Sequence, residues 1–252
     1  MTMLDERAHA TFRFYEELND FLPSARRKRP IEYRCACDAT VKNAIEALGV
    51  PHTEVELVLA NGASVDFSYR VREGDYISVY PKFECFDVRE LLKVRAQPLR
   101  SMRFIADAHL GGLARWLRML GFDTVYSNRY RDEQIRAMAQ VEQRVILTRD
   151  RELLKCRDVT HGCFVHALRP QEQLREIVDR LQLAASARPL TLCLQCNAPL
   201  MPIDKSAIVD RLPARVEETH ERFCWCESCN RVYWEGSHWQ RMRELIAQYT
   251  AA

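Results

Sequence analysis

Asp107 and Asp150 each close a short run of strand-forming residues, Arg103-Phe104-Ile105-Ala106 and Arg144-Val145-Ile146-Leu147-Thr148. In a parallel α/β sheet, carboxylates at the carboxyl ends of two strands open into one crevice, where such folds bind ligands. Like charges brought together repel unless a cation lies between them, so the pair points to metal-dependent chemistry. Asp132, at the start of a helical stretch, adds a third carboxylate or serves as that helix's N-cap. Glu133 is its alternative at the same place and Glu152 is a reserve ligand. His109 either faces the site or bonds locally, and Asp123, after the helix-ending Gly121, reads as structural.

Arginines surround these acids. Arg115 and Arg118 lie three apart on one helix face, and Arg149 and Arg151 flank Asp150. They suit phosphate oxygens, with a solvated face as the plainer reading. The formal net charge of the chain is +2. Counted by segment, residues 98–183 hold 15 Lys+Arg against 11 Asp+Glu, a net of +4, whereas residues 1–97 hold 14 against 16, a net of −2. An acidic pocket in an arginine-rich segment fits a polyanionic substrate. Hard oxygen donors select Mg²⁺ or Mn²⁺, which would activate water for in-line attack on a phosphodiester. No Ser/His or Cys/His arrangement competes.

Four of the ten cysteines form two Cys-x-x-Cys pairs, Cys193/Cys196 and Cys226/Cys229, each followed by asparagine, Asn197 and Asn230. Asparagine tolerates the left-handed backbone that turns amides toward thiolates in a metal knuckle. Four thiolates satisfy tetrahedral Zn²⁺ and leave no open position, so this zinc is expected to be structural. The gap between the pairs exceeds the usual ribbon spacing, so an insertion must loop out. Cys224, His220 and His238 are alternative ligands, and two disulfides are the competing reading. Cys35, Cys37, Cys85, Cys156 and Cys163 read as small buried hydrophobes.

The elements that position these groups fall into three segments. Residues 9–95 give strands at Thr11–Tyr15 and Ile31–Cys35, then a helix at Val41–Leu48 capped by Asp38 or Thr40 and ended by Gly49. A strand at Glu56–Leu59, an Asn61-Gly62 turn and a strand at Tyr76–Tyr80 complete a β-grasp. After a linker at 96–101, residues 102–183 alternate: strand Arg103–Ala106, helix Leu110–Leu120, strand Thr124–Tyr126, helix Asp132–Gln143, strands Val145–Thr148 and Cys163–Ala167, helix Pro170–Leu183. That alternation argues for a parallel sheet flanked by helices. A second linker, Ala184–Pro189, precedes the cysteine pairs.

The first segment, with Leu59-Ala60-Asn61-Gly62 and Gly74-Asp75-Tyr76-Ile77, resembles the ThiS/MoaD-type ubiquitin-like domains. Their sulfur-carrying members end in a free Gly-Gly tail. Here the strand runs on into Pro81-Lys82-Phe83-Glu84, which argues for an interaction or positioning module. The central block, Phe104-Ile-Ala-Asp107 with His109-Leu-Gly-Gly-Leu-Ala-Arg-Trp-Leu-Arg-Met-Leu-Gly-Phe-Asp123 and Ile146-Leu-Thr-Arg-Asp150, resembles the PIN-like RNase domain named after the C-terminal part of the mut-7 exonuclease. The closing cysteine pairs and Val232-Tyr-Trp-Glu-Gly-Ser-His-Trp239 are similar to that family's zinc ribbon. The resemblance implies a ubiquitin-like β-grasp domain over 1–97, a PIN-like RNase domain over 98–185 and a zinc ribbon over 186–252. It further implies a metal-dependent ribonuclease with Asp107, Asp132 and Asp150 on the family's acidic positions.

Two other functions compete. A haloacid-dehalogenase-type phosphatase wants a second aspartate two residues after the first, where this chain has His109. A non-catalytic RNA-binding adaptor would use the ribbon and β-grasp surfaces. RNA is the expected partner, with a protein partner at the β-grasp domain. No run of about 18 apolar residues and no basic start followed by an apolar core is present, so a cytoplasmic location without a membrane span is expected.

Overall fold

Alternating apolar residues at Ala8, Ala10, Phe12 and Phe14 give the first strand one fully buried face, and this strand organises the N-terminal sheet. The computed structural model describes residues 7–36, 38–81, 102–236, 239, 240 and 244. Cys37, Cys85, His238 and the 96–101 linker lie outside them. In chain order the strands are β1 Arg7–Phe14, β2 Ile31–Ala36, β3 Leu57–Ala60, β4 Ala63–Val65, β5 Tyr76–Tyr80, β6 Phe104–Ala106, β7 Thr124–Tyr126, β8 Val145–Thr148, β9 Gly162–Phe164, β10 Met201–Ile203, β11 Phe223–Cys226 and β12 Arg231–Trp234. The helices are α1 Val41–Ala47, α2 Gly111–Met119, α3 Asp132–Glu142, α4 Arg151–Lys155, α5 Pro170–Arg180 and α6 Ala214–Thr219.

Two compact units arise, and neither is one continuous stretch of chain. The first joins residues up to Ser101 with Ala139–Phe164, and the second joins Met102–Met138 with Val165 onward. In the first, the strand order is β2-β1-β5-β3-β4, with β1 and β5 parallel and the other pairs antiparallel. This is the expected β-grasp. Thr40 caps α1 through its hydroxyl, which accepts from the Asn43 amide at 3.3 Å, and Gly49 ends it at φ +107°. Asn61 and Gly62 both take positive φ, the geometry of a tight turn whose twist matches its hairpin, and they join β3 to β4. The same unit carries β8 and β9 side by side in parallel, with α4 between them in the chain.

In the second unit β6 pairs in parallel with β7, so the central segment has the parallel strands its alternation predicts. Leu110, Leu113, Leu117 and Leu120 are all buried, each worth about 1.5–3 kcal/mol over exposure. The helix begins later than expected: Ala108–Leu110 form a 3-10 turn and α2 starts at Gly111. Strand β9 also stops short, at Phe164. The amides of His166 and Ala167 go to the Glu176 carboxylate of α5 instead of a neighbouring strand. The insertion between the cysteine pairs folds into two 3-10 turns and α6, and β10-β11-β12 form an antiparallel sheet. Among the described residues no helix is long and apolar enough to cross a membrane.

The α2–β7 corner is tight. Gly121 sits at φ +86°, and a Cβ there would lie 2.0 Å from the carbonyl oxygen of Arg188. A Gly121→Ala protein is expected to lose at least about 2 kcal/mol of stability, from forced left-handed strain plus a backbone clash. Thermal unfolding followed by circular dichroism measures the loss.

Candidate functional site

Asp107 follows β6 directly, and its carboxylate accepts from the Ala108 amide at 2.5 Å, opening the 3-10 turn that leads into α2. The side chain is half-buried. Asp150 follows β8 after one residue and is exposed. Its carboxylate accepts from the Glu152 amide at 2.8 Å and caps α4, while its own amide donates to the Thr148 hydroxyl at 2.9 Å. Both acids therefore stand just past the carboxyl ends of parallel strands, each held by a short turn. Asp132 is exposed and is the first residue of α3, not the residue before it. Its neighbour Arg131 begins the turn: the Gln134 and Ile135 amides donate to its carbonyl, and its amide donates to the Gln134 side chain. Asp107 and Asp132 belong to the second unit and Asp150 to the first.

The four arginines separate into two kinds. Arg115 is exposed on α2 and Arg149 is half-buried. Arg118, expected at a phosphate, is only 4% exposed and spends its guanidinium inside the protein. Its Nε donates to Thr124 O at 2.8 Å and its Nη1 to Leu194 O and Gln195 O at 3.0 and 2.9 Å. Arg151 is also engaged. Its Nη1 donates to Phe21 O at 3.0 Å, and the guanidinium lies 5.0 and 5.4 Å from the rings of Phe21 and Phe164. Arg118 shares a helix face with Arg115, and its burial comes from its partners at Leu194 and Gln195, 76 and 77 residues away in the chain. Glu152 pairs with Lys155 at 2.8 Å, and His109 and Glu133 are exposed.

The four cysteines come together. Their sulfurs all lie within 4.8 Å of one another, and the Cys193–Cys229 and Cys196–Cys226 pairs are 3.4 Å apart. A Zn–S bond of about 2.3 Å in a tetrahedron puts sulfurs about 3.8 Å apart, so this donor set fits zinc in size as well as chemistry. Asn197 and Asn230 take φ +67° and +55°, the left-handed knuckle backbone their type suggests. Cys224 is not a member of the cluster; burial and the nearby Glu235 push its thiol up. Burial raises the Cys193 thiol as well. Hydrogen bonds from the Tyr233 hydroxyl and the amides of Cys196 and Gln195 outweigh that and bring it to about 6. Cys229 is pushed up to about 12 by burial and by the thiols around it. Four sulfurs this close cannot all ionise without a cation among them.

Sequence reasoning missed how firmly the first knuckle is keyed to the α2–β7 corner. Asn197, flagged only for its backbone, donates through Nδ2 to Asp123 at 2.6 Å, and its Oδ1 accepts from the Thr124 amide at 3.0 Å. Asp123 is thus structural, as its place after Gly121 suggested. The Arg188 and Leu190 amides bond to Leu120 O and Met119 O, so the expected second linker is itself packed down. Missed too were His52 and Glu54 of the β-grasp: Glu54 accepts from the Phe164 amide at 2.5 Å, and His52 Nε2 contacts Val159 O at 2.8 Å. No period or motif marks these residues; only the fold brings them to their partners.

Compared with known families, residues 102–246 match the Mut7-C RNAse domain and residues 7–87 the Mut7-C ubiquitin domain. The chain belongs to the Mut7-C RNase family. A search of curated proteins found no match. Among solved structures, the small archaeal modifier protein 1 of Haloferax volcanii is similar in two crystal structures, at 21% and 19% identity with TM-scores of 0.25 and 0.26. They cover 30% and 31% of this chain and 99% and 100% of their own. In this Mut7-C chain the RNase match runs through β6, the parallel strands and the four-cysteine cluster without a break. The cysteine assignment has a direct check. Cys224→Ser protein is expected to keep one zinc per chain and Cys226→Ser to lose it, read by metal analysis after gel filtration.

Proposed function

We propose that the chain is a divalent-metal-dependent ribonuclease whose acidic site comprises Asp107, Asp132 and Asp150. The observation that carries this reading is the match of residues 102–246, containing all three aspartates, to an RNase domain. The position of Asp107 and Asp150 just beyond parallel strands supports it, because ligands of α/β sheets bind outside strand carboxyl ends. The donors are carboxylate oxygens, hard ligands suited to Mg²⁺ or Mn²⁺ and unsuited to the softer metals that thiolates prefer. A divalent cation held there supplies a water of lowered pKa and neutralises charge on the phosphate.

The chain's own residues do the rest. Asp107 and Asp150, each fixed by a turn amide, keep their carboxylates oriented without help from substrate. Arg115 and Arg149 meet phosphate oxygens and set the register of the strand to be cut. Arg118 and Arg151 take no part in substrate contact, because carbonyls already occupy their guanidinium groups; they hold the loops. The modules then divide the work in chain order: a ubiquitin-like positioning domain over 1–97, a PIN-like cutting domain over 98–185 and a zinc ribbon over 186–252 that takes one structural Zn²⁺.

Asp107→Asn and Asp150→Asn each keep shape and remove charge. Each is expected to lower Mn²⁺-dependent cleavage of a labelled single-stranded RNA at least about a hundredfold, a loss of about 2.7 kcal/mol or more in transition-state stabilisation. Binding of that RNA is expected to persist. Wild-type protein that binds RNA but cuts none in Mn²⁺ contradicts the ribonuclease reading and favours an adaptor.

A further inference from the structure

A cleft of about 550 Å³ opens on the β-grasp fold, lined by Arg13, Tyr15, Glu16, Asn19, Asp20 and Lys28, among others. None of these residues has a part in the acidic site or the cysteine cluster. Lys28 belongs to Arg26-Arg27-Lys28-Arg29, four consecutive cations that are all exposed. This run is not a loose tail. Arg27 Nε donates to Leu22 O at 2.9 Å, and the Lys28 amide donates to Asn19 Oδ1 at 2.6 Å.

Asn19 is the keystone of the cleft. It is 5% exposed, and its Nδ2 donates to Phe14 O and Glu16 O, both at 3.0 Å. Through Asn19 the protein holds two non-glycine residues in left-handed backbone, Glu16 at φ +44° and Lys28 at φ +56°, on the same cleft. Strain kept in place by a buried side chain is a mark of functional surfaces. Beside them Tyr15 stacks on Tyr80, centroids 4.3 Å apart and planes 12° from parallel, with the Arg13 guanidinium 5.7 Å from the Tyr15 ring. The Tyr15–Tyr80 stack fixes Tyr15 as a rigid wall beside the Arg13 and Lys28 cations, which supply the charge that the phosphates of a single strand need. The acids that also line the cleft, Glu16, Glu17 and Asp20, suit hydroxyl donors such as the ribose 2′-OH, which DNA lacks.

We propose that this cleft on the ubiquitin-like domain binds the sugar–phosphate backbone of single-stranded RNA, as a second contact apart from the cutting site. The choice of RNA as the polyanion rests on the ribonuclease reading. The 3-10 turn Glu16–Phe21 that floors the cleft also supplies the carbonyls of Asp20 and Phe21 that hold Arg151, next to Asp150. RNA seated in the cleft therefore lies against the turn that braces one of the proposed catalytic loops.

The test uses the full chain carrying Asp107→Asn and Asp150→Asn, so that binding is read without cleavage. A fluorescent single-stranded RNA of about 12 nucleotides is titrated at several salt concentrations. Adding Arg13→Gln and Lys28→Gln is expected to weaken binding about tenfold and to lower the salt slope by about 1.4, or about 0.7 per phosphate contact. The matching DNA binds more weakly than the RNA to the unaltered cleft. Photocrosslinking of 4-thiouridine RNA to residues 13–28 gives a readout that needs no substitution. Unchanged affinity and slope, with crosslinks elsewhere, overturn the cleft. Loss of binding in the variant when wild-type protein cuts no RNA keeps the cleft and removes the ribonuclease reading alone.

Discussion

The buried guanidinium of Arg118 is the constraint on which the RNase half of this chain depends. A charge at 4% exposure is stable only with full hydrogen bonding, and removing one side of such an arrangement costs about 3–5 kcal/mol. Arg118 finds its partners in Thr124 O on one side and in Leu194 O and Gln195 O, inside the first cysteine knuckle, on the other. Burial lowers its pKa, and the neighbouring Cys193 and Cys196 sulfurs oppose that. Four thiolates holding Zn²⁺ would carry a net double negative charge, which the arginine beside Cys193 and Cys196 would offset. The ribbon is thereby welded to β7 rather than appended to it. From β7 the order passes to β6, its parallel neighbour, and Asp107 follows β6 directly.

Asp150 is held by different means. Its neighbour Arg151 lies against the rings of Phe21 and Phe164 and bonds to the Phe21 carbonyl, while Glu54 and His52 secure Phe164 and Val159. Of these, Phe21, His52 and Glu54 are β-grasp residues. Each strand-end aspartate is thus set by a neighbour that carries no acid of the proposed site: the first cysteine knuckle for Asp107 and the ubiquitin-like fold for Asp150. Within its compact unit the ubiquitin-like fold supplies the Phe21, His52 and Glu54 contacts that hold the Asp150 side of β8 and β9.

Local physics made much of this legible in the sequence. The leucine stripe of α2, the Asn61-Gly62 turn, the Thr40 cap and the Cys-x-x-Cys-Asn knuckles depend on neighbours within a few residues, and each took its expected form. Arg118 and Arg151 could not be read that way. Whether an arginine meets a phosphate or a buried carbonyl is decided by segments 76 and 130 residues away, as the bonds to Leu194 and Phe21 are. Glu54 and His52 were invisible for the same reason. Strand β9 ended early because Glu176, on a later helix, took the amides that a longer strand would have paired.

The most direct measurement of this arrangement is hydrogen exchange on the intact chain loaded with Zn²⁺ and again after chelation. If the knuckle holds the α2–β7 corner through Arg118 and Asn197, stripping the metal raises exchange in residues 104–126 together with residues 191–234. Exchange that rises in residues 191–234 alone, with β6, α2 and β7 still protected, contradicts it.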